Sequence, residues 1–303
     1  MGPIWGIDLG GTKIEGVVLE DRDHPNVLKR FRLPTERDRG YEHVLLQIAK
    51  LVEVLSSEVG IRPTRIGFGH PGTLEPATQL MKNSNTIILN GQPFKEDLEK
   101  TLHCTIAMAN DANCFAMAET KMGIVKELVP DAKVVFGAIL GTGVGGGVVI
   151  NGQVLNGRHG IGGEWGHNFL DESGGDCYCG CKGCVETIIS GIALERHYQS
   201  IVGVRKPLQE IVELHEEGTD EVATMTVNRL IQYFGKAMAS IINTIDPDAI
   251  VLGGGVGNVD LLYTKGVEEV VKNVFNNKLE TPFLKPKLGD SAGVFGAALL
   301  CME

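Results

Sequence analysis

Apolar positions along the chain fall into an arrangement that occurs twice. Residues 4–19, IWGIDLGGTKIEGVVL, read as an apolar strand, a glycine turn and a second apolar strand. Residues 134–150, VVFGAILGTGVGGGVVI, repeat the plan, with Thr142 in the second turn where Thr12 stands in the first. Between them, YEHVLLQIAKLVEVLSSEV (41–59) carries apolar residues at the helical period, and RIGFGHPG and TIAMAND read as short strands. After the second hairpin the pattern predicts helices around 186–201, 207–216 and 219–245, the strand AIVLGGG, and a helix over 259–275. Hairpin, helix and strand thus follow one another in loosely similar order in both halves. This predicts an α/β fold of duplicated halves, two domains with a ligand cleft between them.

Composition narrows the class. At 303 residues the chain can bury a large core, and no low-complexity linker interrupts it. Its 40 glycines are about twice the usual ~7% share, so many turns need backbone that other residues resist. A net charge of −10 counts against nonspecific nucleic-acid binding, though backbone amides can still hold phosphates locally. The first residues show no basic, apolar signal pattern, and Asp8 stands where an apolar signal core would continue. The longest uncharged run, 134–157, is broken by eight glycines and by Asn151, Gln153 and Asn156, a poor match to a membrane span. A cytoplasmic location with no membrane partner is expected. Cys104, Cys114 and Cys301 stand singly and read as small core residues.

Three glycine loops carry candidate phosphate chemistry. DLGGTK (8–13) turns two strands on paired glycines and presents Thr12 and Lys13. Such turns let backbone approach a ligand and form anion-binding nests, Lys13 adds charge, and Asp8 can hold a metal ion or its water. The plain alternative is a tight hairpin with an exposed lysine. The P-loop pattern G-x-x-x-x-G-K-[ST] is absent. GTGVGGG (141–147) matches G-x-G-x-x-G formally, but VVINGQVL after it reads as strand, whereas the dinucleotide fingerprint must open a helix. GGGVGN (253–258) follows the strand AIVL and precedes a helix, a placement that suits a nucleotide against backbone and helix N-terminus.

TIAMANDANCFAMAE places Asn110 and Asp111 at the junction of a strand and a helix. Asp111 there is either a helix cap or a carboxylate poised to take a proton from a substrate hydroxyl. In GEWGHNFLDESGGDCYCGCKGCVET (163–187), Cys177, Cys179, Cys181 and Cys184 lie within eight residues, with His167 upstream and Glu164 and Glu186 flanking. A reducing compartment disfavours disulfides here. His167 with three thiolates, as in H-x9-C-x-C-x4-C, suffices for a closed tetrahedral zinc site, and Gly180 and Gly183 let the chain wrap the ion. Spacing alone leaves open which three of the four cysteines take part.

Taken together, DLGGTK, GFGHPG (67–72), NDAN (110–113), GTGVGGG, GEWGH (163–167), CYCGCKGCVE (177–186) and LGGGVGN (252–258) resemble the ROK family (repressors, open reading frames, kinases) over essentially the whole chain. The resemblance implies an actin/hexokinase-like, ribonuclease H-like duplicated fold with two domains flanking a cleft. The expected boundaries are 1–116, with a C-terminal helix at about 291–303 packing back on it, and 117–290, holding the zinc loop. It implies an ATP-dependent hexose kinase that phosphorylates a sugar hydroxyl, the 6-hydroxyl expected, using Mg-ATP and one structural Zn2+. Asp111 would be the general base, and Gly72, Asn85, Asn110, Glu164, His167 and Glu186 would contact the sugar. Asn83 competes with Asn85 for its role. Asp8, Gly10, Gly11, Thr12, Lys13, Thr142 and Gly143 would face phosphates and Mg2+, and Gly254 and Gly255 the adenosine. The resemblance selects His167, Cys177, Cys179 and Cys184 as zinc ligands and leaves Cys181 unexplained. KNSNTIILNGQPF (82–94) looks most like fructose- or mannose-phosphorylating members. The N-acetylglucosamine branch shares NDANCFA but is expected to carry Phe where Trp165 stands, and glucose is a third acceptor. A noncatalytic sugar-sensing regulator is the rival class; its helix-turn-helix would have to precede residue 8. A homodimer or tetramer is expected.

Overall fold

The structure, a computed structural model, describes residues 2–21 and 25–302. In chain order its elements are β1 (Ile4–Leu9), β2 (Lys13–Leu19), β3 (Val27–Pro34), α1 (Tyr41–Val59), β4 (Arg65–His70), β5 (Thr73–Leu74), β6 (Met81–Lys82), α2 (Phe94–Leu102), β7 (Thr105–Asn110) and α3 (Asp111–Lys121). There follow α4 (Ile124–Leu128), β8 (Val134–Leu140), β9 (Val144–Ile150), β10 (Gln153–Val154), α5 (Glu186–Ile189), α6 (Gly191–Val202), α7 (Leu208–Glu217) and α8 (Glu221–Ile245). The last elements are β11 (Ala249–Gly253), α9 (Gly254–Gly257), α10 (Lys265–Asn273), β12 (Phe283–Leu284) and α11 (Ala292–Leu299). Among the described residues no helix is long and apolar enough to cross a membrane.

The duplication is visible in the sheets. The first runs β3-β2-β1-β4-β7 and the second β10-β9-β8-β11-β12. In each, a hairpin supplies two antiparallel strands and a third strand pairs outside it. Two parallel strands then extend the other side, β4 and β7 in one sheet, β11 and β12 in the other. The fold is the mixed α/β architecture of the actin/hexokinase class.

Two compact units emerge. The first comprises Met1–Gly123, Gly147–Gly162 and Leu288–Glu303; the second comprises Ile124–Gly146 and Gly163–Lys287. Compared with the expected 1–116 and 117–290, the first unit runs seven residues further, to Gly123, and takes in part of β9 with β10. In the first unit α1 buries Val44, Leu45, Ile48, Leu51, Val52 and Leu55, one stripe at helical spacing, together with Ile14, Val18 and Phe68. Gly16 permits this approach: a Cβ there would lie 2.6 Å from Leu55 Cδ1. On α11's side, a Cβ at Gly6 would lie 2.5 Å from the Ala298 nitrogen, and one at Gly67 would lie 1.7 Å from the Ala297 oxygen.

Two expected helices and one expected loop change shape. The stretch 186–201 is two helices, because Ser190 is extended (φ −71°, ψ 159°) and its hydroxyl caps α6 by accepting from the Ala193 amide. The stretch 259–275 is a 3₁₀ turn followed by α10, which ends at Asn273. GGGVGN itself winds into the single turn α9 instead of merely preceding a helix.

Candidate active site

Each unit presents its own set of candidate groups. In the first, the β1–β2 hairpin turns through Gly10 and Gly11, closed by Gly10 N–H donating to the Lys13 carbonyl at 2.9 Å. Buried Thr35, just after β3, fastens this turn from outside. Its hydroxyl donates to the Gly10 carbonyl at 2.7 Å and its amide to the Thr12 carbonyl at 3.0 Å. Thr12 is exposed, with Gly10, Gly11 and Lys13 half-buried beside it. Asp8 is the penultimate residue of β1, opposite Glu15 in register. Burial lifts the Asp8 carboxyl to about 7, helped by the charges of Asp111 and Glu15 and opposed by Lys13. Close packing holds it in place: a Cβ at Gly293, in α11, would sit 2.9 Å from Asp8 Oδ2.

Asn110 is the N-cap of α3: its Oδ1 accepts from the Ala112 amide at 2.8 Å, and its Nδ2 donates to the Gly72 carbonyl at 3.0 Å. Asp111 is therefore the first helical residue, relieved of the capping duty the sequence left open for it. The residue reaches solvent, yet desolvation by the surrounding protein raises its carboxyl above the ordinary range, against amide hydrogen bonds from Ala112 and its own backbone and one from Asn110. A carboxyl with a raised pKa at a strand–helix junction is suited to accept a proton. Gly72 has φ +81°, and a Cβ there would lie 2.7 Å from Ser84 backbone, so the loop of Asn85 packs directly on it. The three asparagines of that loop separate cleanly. Asn83 takes a left-handed conformation (φ 57°), and Asn90 clamps Ser84 through both backbone groups. Asn85 is exposed, and the Thr86 hydroxyl reaches its Oδ1 at 3.5 Å.

In the second unit Trp165 is the anchor of GEWGH. It is buried, its indole N–H donates to the Gly145 carbonyl at 2.9 Å, and its ring meets Phe136 edge-on at 5.5 Å. Gly146 makes room for it, since a Cβ there would lie 2.4 Å from Trp165 Cδ1. The 3₁₀ turn Trp165–His167 thus sets half-buried Glu164 and His167 on a fixed base. Glu186 opens α5, and its Oε2 accepts from the Val144 amide at 2.9 Å. A Cβ at Gly143 would lie 2.5 Å from that oxygen, which is why the second glycine turn carries no side chain at this point. Thr142 is exposed in the same turn. Gly254 (φ +82°) crosses the Leu140 carbonyl, where a Cβ would lie 2.3 Å away, while Gly255 faces open space.

The cysteine loop brings one imidazole and three thiols together. The donor atoms of His167, Cys177, Cys179 and Cys184 all lie within 4.8 Å of one another. Cys179 Sγ is 3.7 Å from Cys184 Sγ, and Cys177 Sγ is 3.6 Å from His167 Nδ1. A tetrahedron with metal–sulfur bonds of about 2.3 Å has edges of roughly 3.8 Å, so the set fits such a centre. Gly180 (φ 90°) and Gly183 (φ 68°) supply the tight turns, and the Cys177 amide donates to the Cys181 carbonyl at 2.8 Å. Cys181 thus contributes backbone to the loop while its exposed thiol stands outside the quartet. Sequence reasoning missed Tyr178: its hydroxyl lies 3.0 Å from His167 Nε2 and its ring meets the imidazole edge-on at 5.1 Å. Nothing in the cysteine spacing marks that residue.

Comparison with known proteins adds the following. The family model described as ROK family matches residues 4–303. The chain is 34% identical, over 98% of both chains, to the N-acetyl-D-glucosamine kinase of Vibrio parahaemolyticus. It is similar in structure to a ROK hexokinase from Thermus thermophilus, at TM-score 0.87 and 32% identity over 98% of this chain and 97% of that one. It is also similar to a ROK family glucokinase from Streptomyces griseus solved with glucose and AMPPNP, at TM-score 0.77 and 26% identity over 99% of each chain.

Proposed function

The chain belongs to the ROK family, and on that premise we propose that it is an ATP-dependent sugar kinase whose preferred acceptor is N-acetyl-D-glucosamine. The observation that carries the chemistry is Asp111, freed from capping by Asn110, carrying a raised carboxyl and sharing its unit with the glycine turn and Asp8. Asp111 takes the proton of the sugar hydroxyl, the 6-hydroxyl, as that oxygen attacks the γ-phosphorus and the bond to ADP breaks. The glycine turn of Gly10 and Gly11, with Thr12, Lys13, Thr142 and Gly143, faces the phosphate oxygens; Gly254 and Gly255 border the adenosine. Mg2+ carried with ATP supplies charge neutralisation of the phosphates, and the Asp8 carboxyl, crowded by two other acids, is the group suited to hold it. Gly72, Asn85, Asn110, Glu164, His167 and Glu186 contact the sugar. His167, Cys177, Cys179 and Cys184 would hold one structural Zn2+, which would close the loop between Glu164 and Glu186.

The acceptor follows the relatives and not the fructose or mannose expected from residues 82–94. The same Vibrio kinase shares a third of its residues with this chain end to end. The sequence feature that stood against that branch, Trp165, is buried and bonded to Gly145, so it packs the loop and does not select the sugar. The decisive experiment is an ADP-release assay across N-acetylglucosamine, fructose, mannose and glucose, with Asp111→Asn as partner. N-acetylglucosamine should give the highest kcat/KM, and Asp111→Asn should lower kcat about 10³-fold while calorimetric sugar binding persists. Sugar binding without ADP formation from any acceptor would instead make the protein a noncatalytic sensor.

A further inference from the structure

We propose that Arg37 is a second cation of the phosphoryl-transfer site, gripping the phosphoryl group as it passes to the sugar; the inference rests on the kinase reading above. Arg37 opens a single 3₁₀ turn, Arg37–Arg39, just beyond β3. The Thr35 staple binds this segment to the phosphate-facing turn through two hydrogen bonds. The guanidinium then lies directly over the second glycine: Arg37 Nη1 is 3.0 Å from where a Cβ of Gly11 would be, and Thr86 Oγ1, from the asparagine loop, is 4.0 Å from the same point. The glycine turn, the guanidinium and the loop carrying Asn85 therefore meet at Gly11, within one unit.

This charge is free to act. Among the described residues the Arg37 side chain has no ion pair or hydrogen bond. Its sequence neighbour Glu36 binds Arg39 (3.0 Å) and His43 (2.6 Å), buried Glu15 binds Arg30 and Arg32, and Asp38 stands beside it in the 3₁₀ turn. An exposed, unpaired guanidinium beside a glycine turn matches a phosphoryl group, whose oxygens its planar fork engages two at a time. In the transfer, the sugar oxygen forms the new bond to phosphorus, the bond to the ADP oxygen breaks, and Asp111 receives the proton. ATP and sugar become ADP, sugar phosphate and one proton. Arg37 is unchanged in this balance and stabilises charge on the oxygens in flight.

The test uses the full-length protein with Arg37→Ala, Arg37→Lys and, as control, Arg39→Ala. Arg37→Ala should lower kcat by about 10²- to 10³-fold. Arg37→Lys should recover part of that, millimolar guanidinium should partly rescue the alanine variant, and Arg39→Ala should match the wild type. In calorimetry Arg37→Ala should weaken AMPPNP more than ADP, since only AMPPNP carries the outer phosphoryl group. Turnover within twofold of wild type would overturn the proposal. So would a loss that guanidinium leaves untouched and that falls equally on both nucleotides. If the wild type binds nucleotide but phosphorylates no sugar, the kinase reading fails by itself, and the AMPPNP-to-ADP difference alone decides the role of Arg37.

Discussion

Asp8 ionises against burial and two neighbouring acids, and that has a consequence for stability. Its carboxyl titrates at about 7 in the folded chain, against 3.8 for an ordinary aspartate. Between those values the folded protein keeps a proton the unfolded chain has lost, so stability falls as pH rises through this window and levels off above it. Urea unfolding in magnesium-free buffer should show Asp8→Asn gaining on the wild type from pH 4 towards 7, with no further gain above. Parallel pH profiles for the two proteins would refute it. The candidate residues that the sequence made legible are those whose type and local spacing point to a chemistry: Asp8 and Lys13 on a glycine turn, Asp111 at a strand end, His167 before a cysteine run. Thr35, Arg37 and Tyr178 were not legible, because each gains its position from a partner distant in sequence or one that spacing does not encode. Thr35 reaches the turn across 25 residues to Gly10.

At the scale of elements, the cysteine loop gathers its four candidate ligands on a framework of short-range bonds. Its internal bonds include backbone ones, Leu170 to Gly183, Gly183 to Gly175 and Cys177 to Cys181, and side-chain ones, Tyr178 to His167 and Cys184 to the His167 carbonyl. Elemental analysis should find about one zinc per chain. Cys184→Ser should lose the metal and raise the sugar KM at least tenfold, with a smaller effect on nucleotide affinity; a zinc-free wild type with normal KM would exclude the metal. The hairpins and α1 were readable because their apolar periodicity is unbroken. β3 was not: it is a mostly exposed edge strand, VLKRFRLP, whose Lys29, Arg30 and Arg32 blunt the edge and erase the alternation a half-buried strand would show. The break at Ser190 was hidden because a serine inside an apolar run looks like an ordinary helical residue until its cap bond is seen.

At the scale of the molecule, α11 is the piece that completes the first unit. It packs on α3, β1 and β4, and a Cβ at Gly296 would lie 1.7 Å from the Cys114 carbonyl oxygen. Backbone cannot yield as a side chain can, so Gly296→Ala should cost at least ~2 kcal/mol, read as a lowered urea midpoint. An unchanged midpoint would mean that α11 is not seated as described.

The same helix sets a timetable for synthesis. The first unit is begun by the earliest residues, yet it closes only with Ala292–Leu299. At ~5–20 residues per second, making residues 124–287 takes roughly 8 to 33 s on the ribosome. For that interval the strand faces at Gly6 and Gly67 wait uncovered, so this half of the nascent chain is the one most in need of a holding chaperone.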